Sequence, residues 1–379
     1  MKLIEHYVLL RSAFSQVKEG EMVEAMTEEI SSILSCTFRN AQLLLKRMEQ
    51  EQWITWKSRR GRGRKATLSF HLSLRDSALT RLKELIDKQN IQACLDYIHH
   101  TNLPTSIREE LTLYLKNYFG YKQDSSGRND MLRLPLKQEI YTLDPSLVST
   151  ADEAHLVTQI FDPLVIYHEK NQTFEPHLVY GWKVKDDGKR WIFYIQKGIV
   201  FHNGRTLCAK DVIYTFSRLK DGSGNYPYFF QHILEIKEIN ELVLEITFSQ
   251  PTYQFLHHIG SFYASILPYD IGFIEESPIG TGPFKVEMRN ENIVRLEANL
   301  AYFQGRPFLD KVELLKTEMD IHMLDTLEKK ADFDTSSSIE FIEKGSNFLL
   351  VNLQKVGPLQ NRENREVLYA LVDQRADDS

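Results

Sequence analysis

Between Thr37 and about Gln52 the apolar positions recur at helical spacing. Ala41, Leu44, Leu45 and Met48 stand at i, i+3, i+4 and i+7, one buried stripe of an amphipathic helix, while Arg39, Asn40, Gln42 and Lys46 occupy the opposite face. A shorter helical stretch, Thr27 to Leu34, precedes it, with Thr27 as an expected N-cap and Glu28 and Glu29 in the first turn, where acids favour the helix dipole. Ser35-Cys36 breaks the pattern between the two. An earlier helix is expected near Ile4 to Val17, with Val8, Leu9 and Phe14 on its apolar side. After the strong helix the period shortens. Trp53-Ile-Thr-Trp56 and Ala66-Thr-Leu-Ser-Phe70 read as two strands of a hairpin. Residues 75 to about 119 read as two further helices, divided at Thr101-Asn-Leu-Pro104 with Pro104 as a helix starter, and ending in Tyr114, Leu115, Tyr118 and Phe119.

From Leu132 onward the pattern is mixed. Trp191-Ile-Phe-Tyr-Ile195 follows an Asp187-Gly188 turn and is strand-like. Leu242 to Phe248 alternates, and Asp211 to Leu219 is helical with Val212, Phe216 and Leu219 on one side. Between the two regions, Gly120 to Asp130 is polar and rich in Gly and Ser, so a linker is expected at 120–131. This divides the chain into an N-terminal domain, 1–119, made of helices and a hairpin to about 72 and further helices at 75–119, and an α/β region, 132–379.

Charge sharpens that division. The chain of 379 residues has net charge −6, yet residues 1–115 hold 17 Lys and Arg against 14 Asp and Glu, and the remainder 29 against 38. The excess is concentrated at the hairpin tip, Lys57-Ser-Arg-Arg-Gly-Arg-Gly-Arg-Lys65, where Lys57, Arg59, Arg60, Arg62, Arg64 and Lys65 make six cations in nine residues. A solvated loop would account for the polarity alone. The order helix, helix, turn, helix, basic hairpin points instead to a winged helix-turn-helix. There the third helix enters the major groove of double-stranded DNA and the wing tracks the phosphates. Arg39 and Asn40, at the start of that helix, are placed for base edges, with Thr37, Gln42 and Lys46 beside them. The isolated N-terminal unit is expected to retain non-specific affinity.

Other chemistry is sparse. Cys36, Cys94 and Cys208 have no metal-ligand spacing and read as reduced thiols. The adjacent pairs His99-His100 and His257-His258 point to different sides of a helix and chelate poorly. No triad, phosphate loop or dinucleotide fingerprint is present, Gly280-Thr-Gly282 being too short for either, so neither an enzyme nor a cofactor or metal is expected. With 42% hydrophobic residues the chain can bury sizeable cores, but no run approaches a membrane span and no signal peptide is evident, which places it in the cytoplasm.

The order of motifs in the second region resembles the family 5 solute-binding proteins of the oligopeptide, dipeptide and nickel type. The residues are Leu143-Asp-Pro145, Ile160-Phe-Asp-Pro-Leu164, Gly181-Trp-Lys-Val-Lys-Asp-Asp-Gly188, Trp191 through Gly204, Leu207 through Phe216, Pro278-Ile-Gly-Thr-Gly-Pro-Phe-Lys-Val286 and Asn299 through Phe308. Together with the N-terminal pattern, the whole chain is similar to SgrR-type transcription regulators. The resemblance implies a winged helix-turn-helix domain rich in α-helix, followed by an α/β domain of the periplasmic-binding-protein-like type II, oligopeptide-binding class. It implies a first lobe at about 132–167 and 276–355 and an inserted lobe at about 168–275. It also implies a small-molecule ligand (a peptide, a sugar phosphate or another solute), with Ser149 and Thr150 on the cleft edge and Asn352 close to them. In the family a further lobe follows, and Arg365 to Asp373 resembles the helix that opens it. The chain is therefore expected to lack its last lobe, with 356–379 as that lobe's beginning, to bind ligand weakly and to self-associate. The competing expectation is the substrate-binding component of a peptide or nickel transporter, which explains the second region and leaves the first without a role.

Overall fold

The computed structural model describes residues 2–57, 65–123, 129–222, 224–317 and 361. The chain begins with α1 (Leu3–Ala13), β1 (Met22–Ala25), α2 (Thr27–Ile33), α3 (Phe38–Gln50), β2 (Ile54–Lys57) and β3 (Ala66–Phe70). The three strands form one antiparallel sheet in the order β1-β3-β2. All four residues of the expected α3 stripe are buried, against Tyr7 and Leu10 of α1, Ile30 and Phe70. Two details differ from expectation. Thr27 is the first helical residue of α2 and Met26 takes the cap position, its N–H donating to the Glu29 carboxylate at 3.4 Å. In α1 the inward positions are Ile4, Tyr7, Val8 and Leu10, and the helix ends before Phe14, whose ring packs on Phe70.

Three helices follow where two were expected: α4 (Leu74–Asp87), α5 (Ile91–His100) and α6 (Thr105–Lys116). The extra break falls at Gln89, which adopts φ +58°, and Asn90 then caps α5 by accepting the Ala93 N–H at 2.9 Å. Pro104 stands at the cap position of α6, as its fixed φ favours. The stretch expected as a linker is strand at both described ends, β4 (Gly120–Gln123) and β5 (Asp130–Leu136), which pair antiparallel.

The body continues with α7 (Ala151–Ile160), β6 (Val165–His168), β7 (Thr173–Pro176), β8 (Val179–Lys185), β9 (Arg190–Ile195), α8 (Ala209–Lys220), β10 (Ile233–Asn240), β11 (Val243–Phe248), α9 (Phe255–Ile259), β12 (Phe284–Arg289), β13 (Ile293–Ala298) and β14 (Lys311–Lys316). One sheet has the order β10-β11-β9-β8 and carries α8 and α9 over a core that includes Trp191, Phe193, Phe216 and Phe255. The other has the order β12-β13-β14-β5-β4, with β14 and β5 parallel. Its strands β12 and β13 share a core with α7.

The second sheet also ties the N-terminal helices to the body. Leu82, Ile91, Leu111, Leu115 and Phe119 lie in one buried cluster with Ile293 and Leu315 of β13 and β14. Beside it the Arg133 guanidinium rests over the Tyr118 ring at 4.2 Å, and Arg133 and Arg295 both donate to the buried Glu313 carboxylate, at 2.6 and 2.7 Å. A cut after residue 119 would strip this apolar face, while the core around α3 lies wholly within the first 72 residues.

Candidate functional site

The face of α3 turned away from the core is built by the turn before it. Ser35 adopts φ +49° and the Cys36 N–H reaches back to the Ser31 carbonyl at 2.9 Å, which ends α2 and redirects the chain. Thr37 then caps α3, its Oγ1 accepting the Asn40 N–H at 3.3 Å. That capping role was not foreseen for Thr37. The far end of α3 is held to the sheet by the Glu49 carboxylate, which accepts the Trp56 N–H at 3.0 Å.

Between those two anchors Arg39, Asn40, Gln42 and Lys46 are all exposed. Arg47 and Leu43 share the outward face, although the sequence reading names neither. Among the described residues, the side chains of Arg39, Lys46 and Arg47 make no ion pair. Lys57 and Lys65 stand exposed where the two strands of the hairpin leave the sheet, and Lys65 pairs with Glu24 of β1 at 3.7 Å. Arg59, Arg60, Arg62 and Arg64 lie outside the described residues.

In the body, Thr150 caps α7 by accepting the Glu153 N–H at 3.3 Å, while Glu153 turns back to the chain before the helix. The Glu153 carboxylate is buried and accepts the N–H groups of Tyr141 at 2.8 Å, Thr142 at 3.2 Å, and Ser149 and Thr150 at 3.3 Å each. Burial alone pushes its pKa up, but the backbone donors of Thr142, Tyr141 and Ser149 outweigh burial and hold the group below the ordinary carboxylate value. Ser149 is exposed next to this hub. Asn352 and the Arg365–Asp373 segment lie outside the described residues.

A second polar assembly has Asp162, His177 and Thr281 buried at its centre, with Tyr302 half-buried and Gln304 exposed at its edge. The Asp162 carboxylate accepts the Thr281 hydroxyl at 2.7 Å and the Tyr302 hydroxyl at 3.2 Å, and bonds His177 Nε2 at 2.7 Å. His177 Nδ1 meets Gln304 at 2.9 Å. Thr281 is carried into this site by Gly280 and Gly282, which pass against the end of α7. A Cβ on Gly280 would sit 2.0 Å from the Ile160 carbonyl oxygen, and one on Gly282 2.6 Å from the Ile160 carbonyl carbon. No side chain fits there. His202 braces the same crossing through the Gly280 N–H and the Gly282 carbonyl, and burial lowers its pKa. The Leu143-Asp-Pro145 motif has a similar role: Asp144 is buried and accepts both ends of the Arg218 guanidinium from α8. These contacts support Thr281 and the two glycines as fold-maintaining residues.

The histidine pair in α9 is packing too. His257 lies edge-on to Phe174 and His258 stacks on Phe229. The described residues contain no group of His, Cys, Asp and Glu arranged to hold a metal ion, and no helix long and apolar enough to cross a membrane.

Residues 173–373 match the family model for bacterial extracellular solute-binding proteins, family 5 (middle), and residues 2–121 match that for the sugar transport-related sRNA regulator N-terminal domain. The first match spans more than half of the chain. The chain therefore belongs to the family 5 solute-binding proteins, and it carries an SgrR-type domain at its N-terminal end. Among its relatives, the uncharacterized protein YhjP of Bacillus subtilis (strain 168) is 33% identical over 378 residues, 98% of this chain and 65% of the relative. The HTH-type transcriptional regulator SgrR of Yersinia enterocolitica is 27% identical over 377 residues, again 98% of this chain and 65% of the relative. That of Photorhabdus laumondii is 28% identical over 341 residues, 88% and 59% respectively. The chain thus spans about two-thirds or less of the length of these relatives. Among solved structures, the periplasmic binding protein DppA of Helicobacter pylori in complex with the peptide STSA aligns with a TM-score of 0.47 at 25% identity, covering 52% of this chain and 45% of that one.

Proposed function

We propose that this chain is a cytoplasmic DNA-binding transcription regulator whose solute-binding-like domain senses a small molecule. In this reading α1 to β3 are a winged helix-turn-helix, with α2, the Ser35 turn and α3 as the helix-turn-helix and the β2–β3 hairpin as the wing. Arg39, Asn40, Gln42 and Lys46 face the major groove, with Thr37 at the helix start, and Lys57, Arg59, Arg60, Arg62, Arg64 and Lys65 follow the phosphates. The observation that carries the reading is the outward face of α3. It is held rigidly at both ends, it is basic, and among the described residues its cations have no acidic partners, in a chain whose overall charge is −6. The SgrR-type N-terminal match and the likeness to HTH-type transcriptional regulators support it. On the body, Ser149, Thr150 and Asn352 are the proposed cleft edge for a peptide, sugar phosphate or other solute.

Fluorescence anisotropy of the full chain with a labelled random-sequence duplex, taken between about 50 and 200 mM salt, tests the DNA reading. Affinity should fall steeply and log-linearly with salt. A chain that leaves the duplex free at the lowest salt refutes it. Family 5 membership favours one second reading, a transporter's substrate-binding component. Stimulation of reconstituted transporter membrane and ATPase subunits by the purified chain would establish that reading instead.

A further inference from the structure

The basic face of α3 has an apolar centre. Leu43 is 55% exposed. It points away from the buried stripe of Ala41, Leu45 and Met48, and Asn40 and Lys46 are three positions from it, Arg39 and Arg47 four, so that all four surround it on the helix surface. A single exposed leucine is ordinary on a protein surface. This one sits inside a ring of three cations whose side chains make no ion pair among the described residues. A second copy of the chain docking face to face would bring Arg39, Lys46 and Arg47 against their own equivalents, and opposed like charges disfavour that arrangement. A DNA duplex meets both requirements. Its phosphates match the cations, and its major groove displays one apolar group, the C5-methyl of thymine.

We propose that Leu43 reads the C5-methyl group of a thymine in the major groove, with Arg39, Lys46 and Arg47 on flanking phosphates and Asn40 on a neighbouring base edge. The proposal rests on the DNA-binding reading above and deepens it.

The test is selection from a random double-stranded DNA pool by the full-length chain and by Leu43→Ala, followed by replacement of each selected thymine with deoxyuridine. Alanine is the best helix former and the position is exposed, so the variant should keep the wild-type urea midpoint. The wild type should enrich a sequence with at least one thymine whose replacement weakens binding about fourfold, the worth of one methyl-sized apolar group. Leu43→Ala should relax that position alone and bind the thymine and deoxyuridine duplexes equally. A wild-type sequence with no deoxyuridine-sensitive thymine overturns the proposal and leaves the DNA reading standing, as does a variant that keeps the full deoxyuridine penalty. A wild type that enriches no sequence and retains no duplex overturns both. A Leu43→Ala chain whose sedimentation coefficient differs from wild type in the absence of DNA makes this face a protein–protein contact and also overturns the proposal.

Discussion

The outward face of α3 and the interior around Asp162 hold the same kinds of side chain in opposite states. On α3 the polar groups are exposed, and its cations make no ion pair among the described residues. Around Asp162 every polar group meets another within the protein: Thr281, Tyr302 and His177 converge on one carboxylate, and Gln304 meets the far nitrogen of the histidine. A buried polar group without a partner costs more than a hydrogen bond returns, so interiors are saturated and serve the fold. A surface group with free valences is available to a partner from outside. The contrast separates groups free for an outside partner from groups committed to the fold better than residue type does.

The largest test of that separation is Asp162→Ala. The buried Thr281 and His177 would lose their acceptor at about 1–3 kcal/mol each, and the half-buried Tyr302 hydroxyl would lose one at less cost, so urea unfolding should show a loss of at least about 2 kcal/mol. Arg39→Ala should stay within about 0.5 kcal/mol of wild type. Equal midpoints for the two variants would erase the contrast. Next in size is replacement of Arg59, Arg60, Arg62 and Arg64 together by Ala. Each lost phosphate contact removes about 0.9 from the slope of log K against log salt, so the slope should flatten by up to about 3.6, with binding weakened alike on all sequences. Normal binding by this variant would break the wing assignment.

Asn40→Ala should leave general affinity in place and cost ~1–3 kcal/mol of discrimination at one base position. An unchanged preference after selection would move recognition elsewhere on the helix. The smallest effect belongs to the α7 cap, where Thr150→Ala should cost roughly 1 kcal/mol of stability by denaturation. The hub beneath it adds a pH signature. The folded-state pKa of Glu153 lies below its ordinary value. Its contribution is therefore fully present above that ordinary value, near about 4.3, and is lost as pH falls through the depressed one. The stability gap between wild type and Glu153→Gln should be constant at neutral pH and close on acidification. A gap that widens with acid would reverse the assigned sign.

How much was legible in the chain follows the same division. The α3 stripe could be read because its contacts are periodic and local, and Ala41, Leu44, Leu45 and Met48 are all buried. β1 escaped notice because Met22-Val-Glu-Ala25 is four residues long and only Ala25 is buried. The stretch 120–131 reads as polar because the strand character of its described ends comes from pairing, and the neighbour that completes β5, Lys311–Lys316, lies far along the chain. Asp162 stands out in the sequence only as part of a motif and His177 not at all, since the Thr281 partner of Asp162 and the Gln304 partner of His177 are each more than a hundred residues away. Thr150 was chosen as a cleft residue from the family likeness, and its cap to Glu153 shows a structural role at the same position. Leu43 was invisible for a different reason. The stripe of Ala41, Leu44, Leu45 and Met48 leaves position 43 on the opposite face, but an apolar side chain there has no charge or amide to mark it as a contact.

The placement of α1 has one more consequence. Tyr7 and Leu10 pack in the same core as α3, while Val8 belongs to the cluster that continues through α4, α5 and α6 into β13 and β14. One short helix therefore has a side in each hydrophobic core. Melting either core strips apolar cover from the other, so the N-terminal unit and the adjoining body should lose structure together. Calorimetry should register one endotherm for them where a bead-on-a-string arrangement would give two.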